Sequence, residues 1–227
     1  MSYAEFYDSF VQHPLLLWIA ALVGLLVALS RRGLARSVRW YCVVLAIVSA
    51  LDAWLTSARV AGLGPLPGAA ATFVPLAFVL IGDFRYFLFV ESAQPNGSLA
   101  IRVGPWARAC VWTFVVPIAS QVLTMTFGSD DPRFLFLIYE TLFVVLSIGI
   151  IGFYLPGRSD ALRWTRLVTG FVMGTYALWA LADATILTVE ADMGFLIRVL
   201  PNVLYYGGLG PVLAWTAPVR SSLQGGA

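Results

Sequence analysis

The residues best placed to do chemistry are carboxylates standing in otherwise apolar sequence. Asp52 lies in the run Tyr41 to Ala61, followed by Ala53-Trp54-Leu55-Thr56, and Asp183 lies in the run Trp164 to Thr188, followed by Ala184-Thr185-Ile186. Both runs are long enough to cross a bilayer. An ionised group at the centre of a membrane helix costs on the order of 2.5–3.5 kcal/mol, so each carboxylate needs a partner, a proton or a wet cavity. Laid out at about 1.5 Å per residue, Asp52 falls near the midplane, with Glu140 and Asn202 roughly 6 Å, Gln121 about 7 Å and Asp183 about 10 Å toward the outside. Arg198 falls near the outer end of its run. These residues, with Tyr205, are expected to line one outward cavity that binds a small solute, a proton or a cation. Tyr139 and Tyr206 would add hydroxyls and apolar wall. The bland reading of the same residues is structural: Glu140 or Asp183 pairs with Arg198 and holds helices together.

A second, inner polar site is expected at Asp83 and Arg85. Two residues apart on a helix, they point to different sides and do not pair. Arg85 is expected to snorkel to the cytoplasmic surface, which leaves Asp83 in need of a donor from another span. Tyr86 shares the Asp83 face.

Other chemistries have little to work with. His13 is the one histidine, and it reads as an interface residue. Zinc or haem ligation by histidine is hard to arrange with one. Cys42 and Cys110 fall in the cytoplasmic halves of their spans, where a disulfide is not expected, and their spacing fits no metal site. Every basic residue is arginine, so no lysine Schiff base can form. No serine or cysteine has an evident base beside it. No catalytic residue, metal or cofactor is assigned, and an enzyme is the less favoured class.

The elements that must position these residues are membrane helices. The chain is 60% hydrophobic and 11% charged, against about 25% charged for soluble domains, and its mean hydropathy is +0.85. The reading is an all-α integral membrane protein, one domain of seven transmembrane helices over residues 14–30, 41–61, 70–91, 106–127, 134–155, 164–188 and 195–215. Arginines 31, 32, 36, 39, 102, 108, 158, 163, 166 and 220 fall on one side of that layout, which is then the cytoplasmic side. The N-terminus, acidic at Glu5 and Asp8 and without a basic start, is expected outside and the C-terminus inside. Arg59, Arg133 and Arg198 fall near the outer side, and Asp130, Asp131, Glu190 and Asp192 make two of the outer turns acidic. Trp40, Trp106, Trp164 and Trp215 are expected to form the cytoplasmic aromatic belt. The setting is a cell membrane, bacterial and inner.

The second and sixth spans share Asp-Ala followed by an apolar pair and threonine, and each precedes a proline-bearing span, with Pro75 or Pro201. The first and fifth each lead to Arg-Trp, at Arg39-Trp40 and Arg163-Trp164. This reads as a 3+1+3 internal repeat. In architecture it resembles SWEET-type sugar transporters, PnuC-type vitamin transporters and microbial rhodopsins. The rhodopsin lysine is absent, and neither PnuC-type tryptophan motifs nor a PQ-loop is present. Gly170 and Gly174, four apart, are expected to permit close helix approach, as are Ser147 and Gly149. Gly207-Gly208-x-Gly210 reads as flexible packing before Pro211. Expected partners are the lipid bilayer, a small-molecule or ion ligand, and a membrane-protein partner or second copy; nucleic acid is not among them. The alternative to transport is a non-enzymatic subunit or ligand-sensing bundle acting through such a partner.

Overall fold

The computed structural model describes residues 14–56, 68–128, 131–157, 162–189 and 191–219. Glu5, Asp8, His13, Arg59, Asp130, Arg158, Glu190 and Arg220 therefore lie outside the described residues. The described chain is helical with short connections: α1 Pro14–Ser30, α2 Arg36–Leu55, α3 Ala70–Ser92, α4 Val103–Phe127, α5 Pro132–Gly149, α6 Leu162–Thr188, α7 Ala191–Gly207 and α8 Leu209–Thr216. Five of these helical stretches, Arg36–Leu55, Phe73–Ser92, Val103–Phe127, Pro132–Gly157 and Arg163–Thr188, are long and apolar enough to cross a membrane, and α1 is a shorter apolar helix. Their outer faces carry large apolar side chains, among them Val111, Ile118, Met125, Leu196 and Ile148. Such faces suit hydrocarbon, where only internally satisfied backbone is tolerated.

Local chemistry accounts for the helix ends. Asp131 caps α5, its side chain accepting from the Arg133 amide at 2.8 Å, with Pro132 at the first helical position. There proline removes a donor that has no intrahelical partner. Gly128 closes α4 with φ 66°, a left-handed conformation that glycine adopts at no steric cost. α5 continues through a wide π turn, Ile150–Tyr154, into a tight turn, Leu155–Gly157, that contains Pro156. The last apolar run, expected as one span over 195–215, begins at Ala191 and is divided at Gly208. Pro211 has no N–H to give the Gly207 carbonyl, so the run breaks there and restarts with proline in its first turn.

The helices follow one another round a ring, α6 packing most extensively on α5 and α7, and α1 closing the ring against α2, α7 and α8. Among the described residues α2 and α3 touch little. Tyr86, Phe87, Phe89 and Phe143 are fully buried between the helices. Phe143 stacks on Tyr176 with centroids 3.8 Å apart, and Phe89 meets Trp164 edge-on at 5.1 Å.

Several expectations are corrected here. Asp52 is near the end of its helix rather than its middle, because α2 starts at Arg36 and ends at Leu55; Arg36 and Arg39, read as loop residues, are helical. Gly170 and Gly174 face open space rather than a neighbour, as does Gly149, while Ser147 is buried. Close approach occurs instead at Gly24 of α1 and Gly207 of α7. A Cβ on Gly24 would strike the Gly207 carbonyl, and one on Gly207 would strike the Ala20 carbonyl. Trp40, Trp106 and Trp215 are exposed, but Trp164 is buried and donates to the Leu213 carbonyl at 3.2 Å, so it packs the core rather than the belt.

Candidate functional site

A cavity of about 220 Å³ opens beside the α2–α3 seam, between α2, α3, α5, α6 and α7. α2 contributes Asp52, with Thr56 at its end, and α3 contributes Pro75, Phe78 and Val79. α5 contributes Phe136, Tyr139 and Glu140 at helical spacing, and α6 contributes Tyr176 and Trp179. α7 presents Arg198, Asn202, Tyr205 and Tyr206, a stripe spaced by three or four residues that aims one face at the cavity. Trp179 donates to Asn202 Oδ1 at 2.7 Å, which fixes both side chains. Of the residues expected to line one cavity, Asp52, Glu140, Arg198, Asn202 and Tyr205 are brought together, with Tyr139 and Tyr206. Gln121 is not: it lies on an exposed face of α4, which does not reach the cavity.

Asp183 stands behind the wall. It is fully buried, and Arg198 Nη1 and Arg133 Nη1 both bind its Oδ1, the latter at 2.9 Å. Arg198 Nη1 also lies 3.7 Å from Glu140 Oε1. The expected pairing with Arg198 is thus present for both carboxylates, with Asp183 the closer. Arg133 was read as an outer-turn charge. The signal that could have found it is the cap Asp131-Pro132, which starts the helix before Arg133 and places it seven residues, two turns, from Glu140.

At the base of the cavity Asp83 is buried and accepts hydrogen bonds from two tyrosines, Tyr139 to Oδ2 and Tyr176 to Oδ1. The donors from other spans that Asp83 needed are therefore Tyr139 and Tyr176. Arg85 turns the other way, as expected, but it does not reach a surface. It is buried, donates to Ser49 Oγ and the Tyr205 carbonyl at 2.9 Å each, and lies 4.0 Å from the Tyr205 ring centroid. Fixed acceptors on α2 and α7, plus the attraction of a cation to an aromatic face, outweigh snorkelling. Tyr86 donates to Thr169 Oγ1 at 3.1 Å.

One polar cluster was missed. Glu91, at the far end of α3, is buried and accepts from Arg108 Nε at 2.6 Å, Trp112 Nε1 at 3.2 Å and the Tyr154 hydroxyl. At a span boundary a glutamate reads as solvated. Only the fold brings α4 and the π turn after α5 over it.

Cys42 and Cys110 are free thiols. No group of three or more potential metal ligands occurs among the described residues. No protein-family model, curated protein or solved structure matches the chain.

Proposed function

We propose that this chain is a small polytopic transporter of seven spans, N-terminus outside, that takes up a small solute or ion through the cavity and the carboxylates around it. The observation that carries the reading is the 220 Å³ cavity lined by Asp52 and Glu140, on helices long and apolar enough to cross a membrane, and by Arg198 and Asn202 of α7. Ionisable groups at such depth usually mark a ligand or ion path. Two helices bordering the cavity are interrupted, α3 by Pro75 and α7 by Pro201, and α7 ends at the Gly208 break. Weakened helical hydrogen bonding at these points gives the wall places to bend. The orientation rests on charge. Arginines 31, 32, 36, 39, 102, 108, 163 and 166 gather at the end away from the cavity, while Arg133 and Arg198 point into the bundle. The arginine-rich end is then cytoplasmic, in a bacterial inner membrane.

The test is uptake into proteoliposomes from a mixed pool of small metabolites, with and without a pH gradient, followed by mass spectrometry and an entrapped pH dye. Wild type is expected to accumulate a solute or move protons above protein-free vesicles, and folded Asp52→Asn to lose most of that activity. No movement of any solute or proton by folded wild type would remove transport.

A second reading, a ligand-sensing bundle, is favoured by one feature: Phe143, packed with Tyr86 and Phe87, stacks on Tyr176 of the cavity wall. Binding without flux, together with a membrane partner that co-purifies in mild detergent, would support it.

A further inference from the structure

Glu140 is 3% exposed and lines the cavity, and its Oε2 has no hydrogen-bond partner. Its other oxygen meets Arg198 only at 3.7 Å, beyond hydrogen-bonding distance. Asp52 is also buried; it accepts from the Tyr206 hydroxyl, and the Thr56 hydroxyl stands 3.5 Å from its Oδ1, at the long limit of such a bond. Two carboxylates from different helices thus face one cavity with few donors, where an unsatisfied acceptor is costly. Arg198 does not balance them, because Asp183 holds it more closely. Among the described residues of that half of the bundle, the buried carboxylates Asp52, Asp83, Glu140 and Asp183 outnumber the guanidinium groups of Arg85, Arg133 and Arg198. Phe78, Phe136, Trp179 and Tyr205 supply aromatic wall, and an aromatic face attracts a cation.

We propose that the cavity is the binding site of a small organic monocation, a protonated amine whose N–H groups donate to Glu140 Oε2 and Asp52 while its apolar body rests against Trp179 and Phe136. The inference rests on reading the cavity as a ligand site and names the ligand's class. A bare metal ion fits poorly, since hard cations take about six or more oxygens and half of this wall is aromatic. An anion would need Arg198, whose charge is already answered. A cavity of about 220 Å³ far exceeds the ~10–15 Å³ that admits one water.

The test uses the full chain in mild detergent and a charge series on one skeleton: phenethylamine, 2-phenylethanol, phenylacetate and phenylalanine. Affinity is read from tryptophan fluorescence and from the shift of the unfolding midpoint. Phenethylamine is expected to bind at least about tenfold tighter than the alcohol and the acid. Glu140→Gln and Asp52→Asn should each remove about tenfold of that affinity, and Asp192→Asn, on the exposed first turn of α7, should leave it unchanged. The wild-type series decides the matter even if a variant misfolds. Equal affinity for amine and alcohol, preference for the acid, or no binding by any of the four up to about 10 mM overturns the proposal. Tighter binding of phenylalanine replaces it with a zwitterion site that uses Arg198. Amine-selective binding without flux keeps this inference and removes transport; flux of a solute with no amine preference does the reverse.

Discussion

Asp183 and Asp83 are both buried aspartates, yet their neighbours give them different work. Asp183 binds two arginines from two helices, so its loss removes a buried carboxylate that Arg133 and Arg198 share. Asp183→Asn is expected to destabilise the protein by on the order of 3 kcal/mol, read as a lower unfolding midpoint in detergent. A midpoint equal to wild type would mean the arginines find other partners. Asp83 depends on hydroxyls. Tyr139→Phe and Tyr176→Phe should each cost about 1–2 kcal/mol, and the double replacement more than their sum, because only then does Asp83 lose both donors. Strict additivity in that cycle would show that the two bonds act independently. The Asp-Ala echo between the second and sixth spans does not carry a shared role: Asp52 borders the cavity and Asp183 lies behind its wall.

Among the elements, α1 crosses α7 at close range. Gly24 and Gly207 meet with backbone against backbone, so a side chain there must push the helices apart. Gly207→Leu is expected to lower the unfolding midpoint sharply, by more than about 2 kcal/mol of stability. Gly174→Leu, which meets open space, should stay within about 0.5 kcal/mol of wild type. The two variants side by side check the helix faces, and the reverse order would place α6, not α1, at the tight crossing. The small-residue spacing of Gly170 and Gly174 was legible but pointed the wrong way. Spacing says that two residues share a face; it does not say which helix, if any, lies opposite.

At the scale of the whole molecule the orientation can be tested directly. A reporter fused to the C-terminus is expected to be active in the cytoplasm, and replacing Arg31, Arg32, Arg36 and Arg39 together should scramble insertion. A reporter active only on the external side would invert the arrangement. The arginine-rich end is also where the chain is clamped. Arg31 donates to the Ala217 carbonyl at 2.9 Å, Ser37 accepts from the Leu99 amide at 2.9 Å, and Glu91 holds Arg108. Among the described residues α2 and α3 pack little on each other. Opening is therefore expected at the α2–α3 seam, and hydrogen exchange should be faster at the cavity-facing turns of α3 than around Glu91.

What the sequence determined by itself follows from composition and period. Apolar runs about as long as a bilayer needs, with arginine-bearing loops on one side, specify membrane helices, because backbone groups in hydrocarbon must be satisfied within the segment. The same runs marked their polar residues as exceptions that need partners, and Asp52, Glu140, Arg198, Asn202 and Tyr205 do meet at one cavity. Tertiary structure decided who partners whom. It paired Asp183 with Arg133 as well as Arg198, turned Arg85 inward onto Tyr205, sent Gln121 to an exposed face and buried Glu91 under Tyr154. The physical reason is that rotation of each helix about its axis, and the residue at which it begins, are set by packing against neighbours. A shift of a few residues, as at α2, moves a carboxylate from mid-helix to its end without altering the hydropathy that announced the helix.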